Sequence, residues 1–304
     1  MEQFFEKNPF VLMEASIVEL LRRSGKVHLH ETLVNAPLIY DQTARKVMGD
    51  LYKGYIDIAL NADLPILVCT PTWRTNKTRV KEANVPSSIN IDAIHYLKEI
   101  RDSYSYKDTT IKIGGMIGCK NDCYLPKEGL SIKESQYFHS WQIEQLAEGG
   151  ADFLIAETLP NVQEALGIAK AMELMDIPYF ISFVISRDGC VLDGTTLEKA
   201  INLIDSNTKK PPLGYMVNCA YPSFLCPQNQ PSHTLARLVG YLANASSLDH
   251  CDLEKADELK TDSISHWGDL MLELNHTYGV KVLGGCCGTG VKHLQYLIDN
   301  RSTE

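Results

Sequence analysis

Phe153-Leu154-Ile155-Ala156-Glu157-Thr158-Leu159 is an almost unbroken apolar run of strand length, and its neighbours decide how it is read. Before it lies 131–149, where Ser131 and Glu134 have capping-box spacing and Gly149-Gly150 ends the pattern. After it come Pro160 and then 161–175, with the Ala, Leu and Met periodicity of a helix. A strand that is apolar along its whole length is buried on both faces, as in a parallel sheet covered by helices.

The same unit recurs outward from this point. Further β-rich runs fall at 10–16, 64–70, 111–118, 179–186, 213–220, 237–244 and 280–287. Helical patterns cover 262–278, closed by Gly279, and 290–300. Eight strands alternating with helices predict an α/β fold, a (β/α)8 barrel, with residues 1–304 as a single domain. A doubly wound open sheet is the alternative, but no G-x-G-x-x-G follows an early strand, so a dinucleotide site has little support. The segment from Cys226 to Ser232, with Pro227 and Pro231, reads as a loop too short to divide domains.

Composition narrows the function. The chain has 304 residues, 44% hydrophobic and 22% charged, with a net charge of −9, which excludes disordered and fibrous classes. No basic run is present, so binding to nucleic acid or anionic membrane is not expected. The N-terminus reads Met1-Glu2-Gln3-Phe4-Phe5, unlike a secretory signal, and no apolar stretch approaches the ~18 residues that span a bilayer. Nine scattered cysteines, an odd number, point to a reducing cytoplasm in which they serve as buried thiols, metal ligands or nucleophiles. The sequence is compatible with a homo-oligomer but specifies none.

A barrel carries its chemistry at the C-terminal ends of its strands. Those ends fall near Glu14–Ser16, Thr70–Trp73, Gly118-Cys119, Glu157-Thr158, Asn218-Cys219 and Cys286-Cys287. Gly284-Gly285-Cys286-Cys287-Gly288-Thr289 is the most specific string in the chain. Neighbours in a regular strand face opposite ways, and the glycines permit turns that let both thiols reach one point. With Cys219 they make three thiolates and one open position, a plausible zinc site. A free thiol has a pKa of about 8.5 and a metal-bound one is deprotonated, so such a site suits attack by a substrate thiol on an activated methyl group. Burial of the cysteines as small apolar residues is the plainer alternative. Glu157, taken alone, is equally readable as a surface glutamate at a helix N-terminus.

These motifs resemble the homocysteine S-methyltransferase family. The resemblance runs from about Val11 to about Ile298, on Gly-Gly-Cys-Cys-Gly-Thr at 284–289 and Asn218-Cys219. Supporting strings are Gly150-Ala151-Asp152 leading to Ala156-Glu157-Thr158, and Asp193-Gly194-Thr195. It implies a zinc-dependent (β/α)8 enzyme with Cys219, Cys286 and Cys287 as ligands of Zn2+ and homocysteine as the thiol. It also implies that Glu157 holds the substrate's amino group. The chain departs from the family where strand one usually opens with Leu-Asp-Gly-Gly or Leu-Asp-Gly-Ala: Met13 stands at the aspartate and Glu14 at the glycine. Glu14 is a candidate replacement from the next position, although one residue along a strand reverses the face. Thr70-Pro71-Thr72-Trp73 also departs from the Ser-Tyr or Phe-Tyr pair common in the family, and Trp73 is either a cation–π platform for a cationic methyl donor or a packing residue. The donor itself is not readable. The chain lacks room for cobalamin and folate modules, so a small sulfonium or quaternary ammonium donor is expected, with a methylcorrinoid partner protein, another thiol or selenol acceptor, or a non-catalytic zinc binder as alternatives.

Val27-His28-Leu29-His30-Glu31 offers an H-x-H pair of the amidohydrolase kind, but strands four to six end without histidine, so a solvated loop is the better reading. Cys119-x3-Cys123 lacks the usual metal spacing and reads as structural thiols. His139, His233, His250 and His276 are isolated and receive no role.

Overall fold

The computed structural model describes residues 1–104, 110–249 and 260–302; His250 lies outside them. Eight parallel strands close into a barrel in sequence order. They are β1 Val11–Met13, β2 Ile66–Cys69, β3 Ile111–Gly118, β4 Phe153–Leu159, β5 Tyr179–Phe183, β6 Gly214–Ala220, β7 Leu238–Ala243 and β8 Val282–Gly285. β1 pairs with β8 to complete the ring. The expected (β/α)8 architecture is therefore the observed one.

Strand alternation divides the core in two. Leu12, Val68, Leu154, Ala156, Ile181, Val217 and Leu283 pack outward under the helices. Met13, Leu67, Phe153, Ile155, Phe180, Met216, Leu242 and Val282 fill the barrel interior. Phe5, on the short helix Glu2–Lys7, meets Phe180 edge-on at 5.9 Å and joins the interior cluster. With the interior filled, substrate chemistry is left to the C-terminal mouth.

The helices follow their caps. Ile132–Glu148 begins with the expected capping box of Ser131 and Glu134. Val162–Met172 begins where the Asn161 side chain accepts from the Glu164 amide. Gln42–Asn61, which the sequence reading did not single out, is capped in the same way by Asp41. Strand seven starts at Leu238 and not Arg237, because Ser232–Arg237 is helical. Strands one and eight are shorter than their apolar runs because the chain turns into the mouth after Met13 and Gly285. No described helix is long and apolar enough to cross a membrane.

Candidate metal centre

Local backbone geometry brings the three cysteines together. The β6–β7 register shifts between Asn218 and Ala220, and Cys219 sits in the bulge with φ of 54°. A left-handed backbone is uncommon for a non-glycine residue and re-aims its side chain. The Cys286 amide donates to the Ala243 carbonyl at 2.7 Å and still belongs to the sheet edge. At Cys287 the chain has turned, so its amide donates to Asn244 Oδ1 at 3.2 Å and its carbonyl accepts from Ala245 at 2.9 Å. Gly288, with φ of 80°, makes the turn, and its amide is held by the Glu19 carboxylate.

Gly284 and Gly285 act differently from expectation. Neither needs a left-handed backbone; both admit close packing. A Cβ on Gly284 would lie 2.9 Å from the Met13 Cβ, and one on Gly285 would lie 2.1 Å from Thr289 Oγ1. Thr289 in turn donates that hydroxyl to the Cys286 carbonyl at 2.6 Å and closes the cysteine turn.

Sulfurs of Cys219, Cys286 and Cys287 all lie within 4.8 Å of one another. A tetrahedral zinc ion with bonds of about 2.3 Å holds its sulfurs about 3.8 Å apart, so the donor set fits in chemistry and spacing. Cys219 is 9% exposed, Cys286 half-buried and Cys287 exposed at the rim. Hydrogen bonds within the trio hold the Cys287 thiol well below its ordinary value, with help from Arg22. The same bonds push Cys219 up. Cys286 is pushed up as well, so the negative character is confined to Cys287.

Asn218 ties this cluster to the neighbouring strands. Its Oδ1 accepts from the Thr158 amide at 2.9 Å and from Ser182 Oγ at 2.7 Å, while its Nδ2 donates to Cys219 Sγ at 3.4 Å. Thr158 is itself left-handed, with φ of 58°, in a register shift of β4. Glu157 beside it is only 8% exposed and belongs to the strand, so it is not a surface residue at a helix N-terminus.

Two buried carboxyl groups share this mouth. Glu14 is 6% exposed; its Oε1 accepts from the Cys69 amide at 2.8 Å and its Oε2 has no partner. Glu157 Oε1 is also unpartnered. Met13, where the family has aspartate, fills the barrel interior, yet the Glu14 charge reaches Glu157. Burial, partly countered by the Cys69 amide, raises Glu14 to about 7. Burial and the Glu14 charge raise Glu157 to about 8. Buried carboxyls with orphaned oxygens suit a cationic ligand such as an ammonium group.

Trp73 is half-buried and already engaged. Its Nε1 donates to Thr158 Oγ1 at 2.5 Å, and the Arg74 guanidinium lies 3.9 Å from the ring centre. Tyr124, which the sequence reading missed, has its hydroxyl pushed up by burial and by the charges of Cys219, Cys287, Cys123 and Cys286. No sequence pattern marks it; the loop after β3 delivers it. Cys119 and Cys123 on that loop are buried, with Cys119 pushed up to about 12 chiefly by burial, as structural thiols are. His30 Nδ1 accepts from the Thr32 and Leu33 amides in a local turn, and the histidine pair joins no metal-binding group among the described residues.

Comparison with known proteins agrees with this geometry. The sequence profile of the homocysteine S-methyltransferase family matches residues 13–300. Homocysteine S-methyltransferase 2 of Saccharomyces cerevisiae is 27% identical over 273 residues, 83% of this chain and 79% of its own. Homocysteine S-methyltransferase 2 of Arabidopsis thaliana is 29% identical over 173 residues, 53% of this chain, which spans about half the length of that relative, 49%. The metallated form of the homocysteine methyltransferase MmuM from Escherichia coli shares the fold, with a TM-score of 0.76 over 98% of each chain at 18% identity.

Proposed function

The chain belongs to the homocysteine S-methyltransferase family, and from that premise we propose that it transfers a methyl group from a small activated donor to the sulfur of homocysteine, giving methionine. The observation that carries this reading is the convergence of three cysteine sulfurs within 4.8 Å at the barrel mouth. Cys219, Cys286 and Cys287 would hold zinc. When bound there, zinc would supply the Lewis acidity that turns an acceptor thiol into a thiolate at neutral pH.

The protein's own side chains do the rest. Asn218 Nδ2 fixes the Cys219 sulfur, and Asn244 Oδ1 fixes the backbone of Cys287. Glu157 receives the ammonium group of homocysteine, with Glu14 adding charge behind it. Both carboxyls give up their protons as the ammonium arrives, because a nearby cation offsets the burial that keeps them neutral. With the amino end held at β4 and the sulfur at the ends of β6 and β8, the acceptor is oriented for in-line attack on the methyl carbon. The new C–S bond forms as the bond to the donor's leaving atom breaks, and that atom keeps the electron pair. The free thiols on the described residues fit a reducing compartment, the cytoplasm.

The test is product formation. Reduced, zinc-supplied protein is incubated with homocysteine and a panel of sulfonium and quaternary ammonium donors, and methionine is measured by mass spectrometry. At least one donor should give methionine, and Cys219→Ala should give none above background. If the wild type binds zinc and yields no methionine with any donor, the barrel is a zinc or thiol binder without catalysis.

A further inference from the structure

The third cysteine is held by a peptide that two other elements grip. Cys219 lies in its strand bulge, and the Cys286 amide still belongs to the sheet edge. Cys287 is exposed and lies beyond the end of β8. The peptide that joins it to Gly288 is bonded on both sides. Its carbonyl accepts from the Ala245 amide at 2.9 Å, and its N–H donates to Oε2 of Glu19. Glu19 belongs to the helix Val18–Ser24, which follows β1. Its other oxygen, Oε1, accepts from Arg23 Nη2 at 3.1 Å and from Arg23 Nε at 3.2 Å. Buried Leu21 seats this helix, and Leu20 faces the same loop, 3.8 Å from where a Cβ on Gly290 would lie.

A carboxylate in this place works against the local charge. Three thiolates around a divalent ion leave one net negative charge, and Glu19 adds another next to it. The same helix supplies the offset: Arg23 pairs with Glu19, and Arg22 draws the Cys287 thiol down. What a carboxylate gains over a neutral acceptor is a stronger bond to the amide. Only 16% of the Glu19 side chain is exposed, so water competes little for that bond. Gly288, with φ of 80°, has left the strand direction, and the orientation of the 287–288 peptide constrains where the Cys287 sulfur points.

We propose that Glu19 is a positioning residue of the metal centre: through the Gly288 amide it holds the Cys287 sulfur toward Cys219 and Cys286, and Arg23 holds Glu19 in place. The helix after β1 is then part of the metal site although none of its residues is a ligand. Loss of the Glu19 bond frees Cys287 first, because Cys219 belongs to β6 and Cys286 is held by Ala243 of β7 and by Thr289. The proposal rests on the metal-centre reading and deepens it.

The experiment compares reduced, metal-free wild type with Glu19→Ala, Glu19→Gln and Arg23→Met. Zinc affinity is measured by competition with a chromophoric chelator, and the ligand set is read from the absorption of the cobalt(II)-substituted proteins. Glu19→Ala should bind zinc about 10–100-fold more weakly, the usual cost of removing a group that orients a ligand. Its cobalt form should also lose thiolate-to-metal charge-transfer intensity. Glutamine keeps a carbonyl oxygen that can accept from Gly288, so Glu19→Gln should recover part of both. Arg23 is exposed, so Arg23→Met should fold normally and lose about two- to fivefold in affinity, the range for a pair at the surface. Unchanged affinity in Arg23→Met overturns the relay even where Glu19→Ala is too unstable to measure. Unchanged affinity in Glu19→Ala, or weaker binding with the cobalt band intact, overturns the positioning role, and so does a Glu19→Gln no better than Glu19→Ala. A wild type that takes up neither metal overturns the metal centre itself, a failure distinct from loss of the Glu19 effect alone.

Discussion

Replacing Glu157 with glutamine should change how stability depends on pH. In the folded protein the carboxyl is raised from 4.5 to about 8, first by burial and then by the Glu14 charge. In the unfolded chain it titrates near its ordinary value. Between about pH 5 and pH 8 the folded state therefore binds one proton more than the unfolded state. Stability then falls with rising pH, by about 1.36 kcal/mol for each pH unit in which the difference is complete. Across pH 5 to 8 this amounts to about 3 kcal/mol, present at the acid end and lost as pH rises through the folded pKa. Glutamine has nearly the same shape and no titrating proton, so Glu157→Gln should show a fall smaller by about that amount. For a domain of 304 residues the difference is worth about 5 °C in Tm. The assay is thermal or urea unfolding of metal-free, reduced protein at pH 5, 6.5 and 8, wild type beside variant. Parallel pH profiles for the two proteins would refute the reasoning, and so would a variant that becomes relatively less stable as pH rises.

Ligand binding should follow the same group. On the proposed reading, in which the charged form of Glu157 receives the ammonium, the KM for homocysteine should fall as pH rises from 6.5 to 8.5, and Glu157→Gln should flatten and raise it. Steady-state kinetics across that range checks both. Gly118→Ala puts a Cβ within 2.4 to 2.6 Å of Trp73. It should destabilise the protein by about 1–3 kcal/mol, as overpacking does, and displace Trp73 and Arg74 together; urea unfolding and tryptophan fluorescence report each effect.

How far the sequence could be read follows from which forces were local. The runs 111–118 and 153–159 are the strands themselves, because a strand buried on both faces leaves an uninterrupted apolar signal. The cysteine trio was legible because glycines frame two of its members and strand ends locate all three. What the sequence did not reveal is set by backbone and tertiary geometry. The left-handed turns at Thr158 and Cys219 carry no glycine to mark them. Glu14 lies one position from the family's acid and on the other strand parity, yet β1 stops at Met13 and the carboxylate stays buried at the Cys69 amide. Tyr124 reaches the cysteine trio through a loop, whose path no periodicity encodes. Trp73 was recognised as an aromatic at the right strand end, but the sequence could not show that Arg74 would cover it.

The central claim is that Cys219, Cys286 and Cys287 form one metal centre. It is tested most directly by elemental mass spectrometry of protein purified under reducing conditions, with Cys286→Ala prepared in parallel. The account requires about one zinc per wild-type chain and none in the variant. Zinc retained by Cys286→Ala, or a reduced wild type that takes up no zinc even when it is supplied, would contradict it.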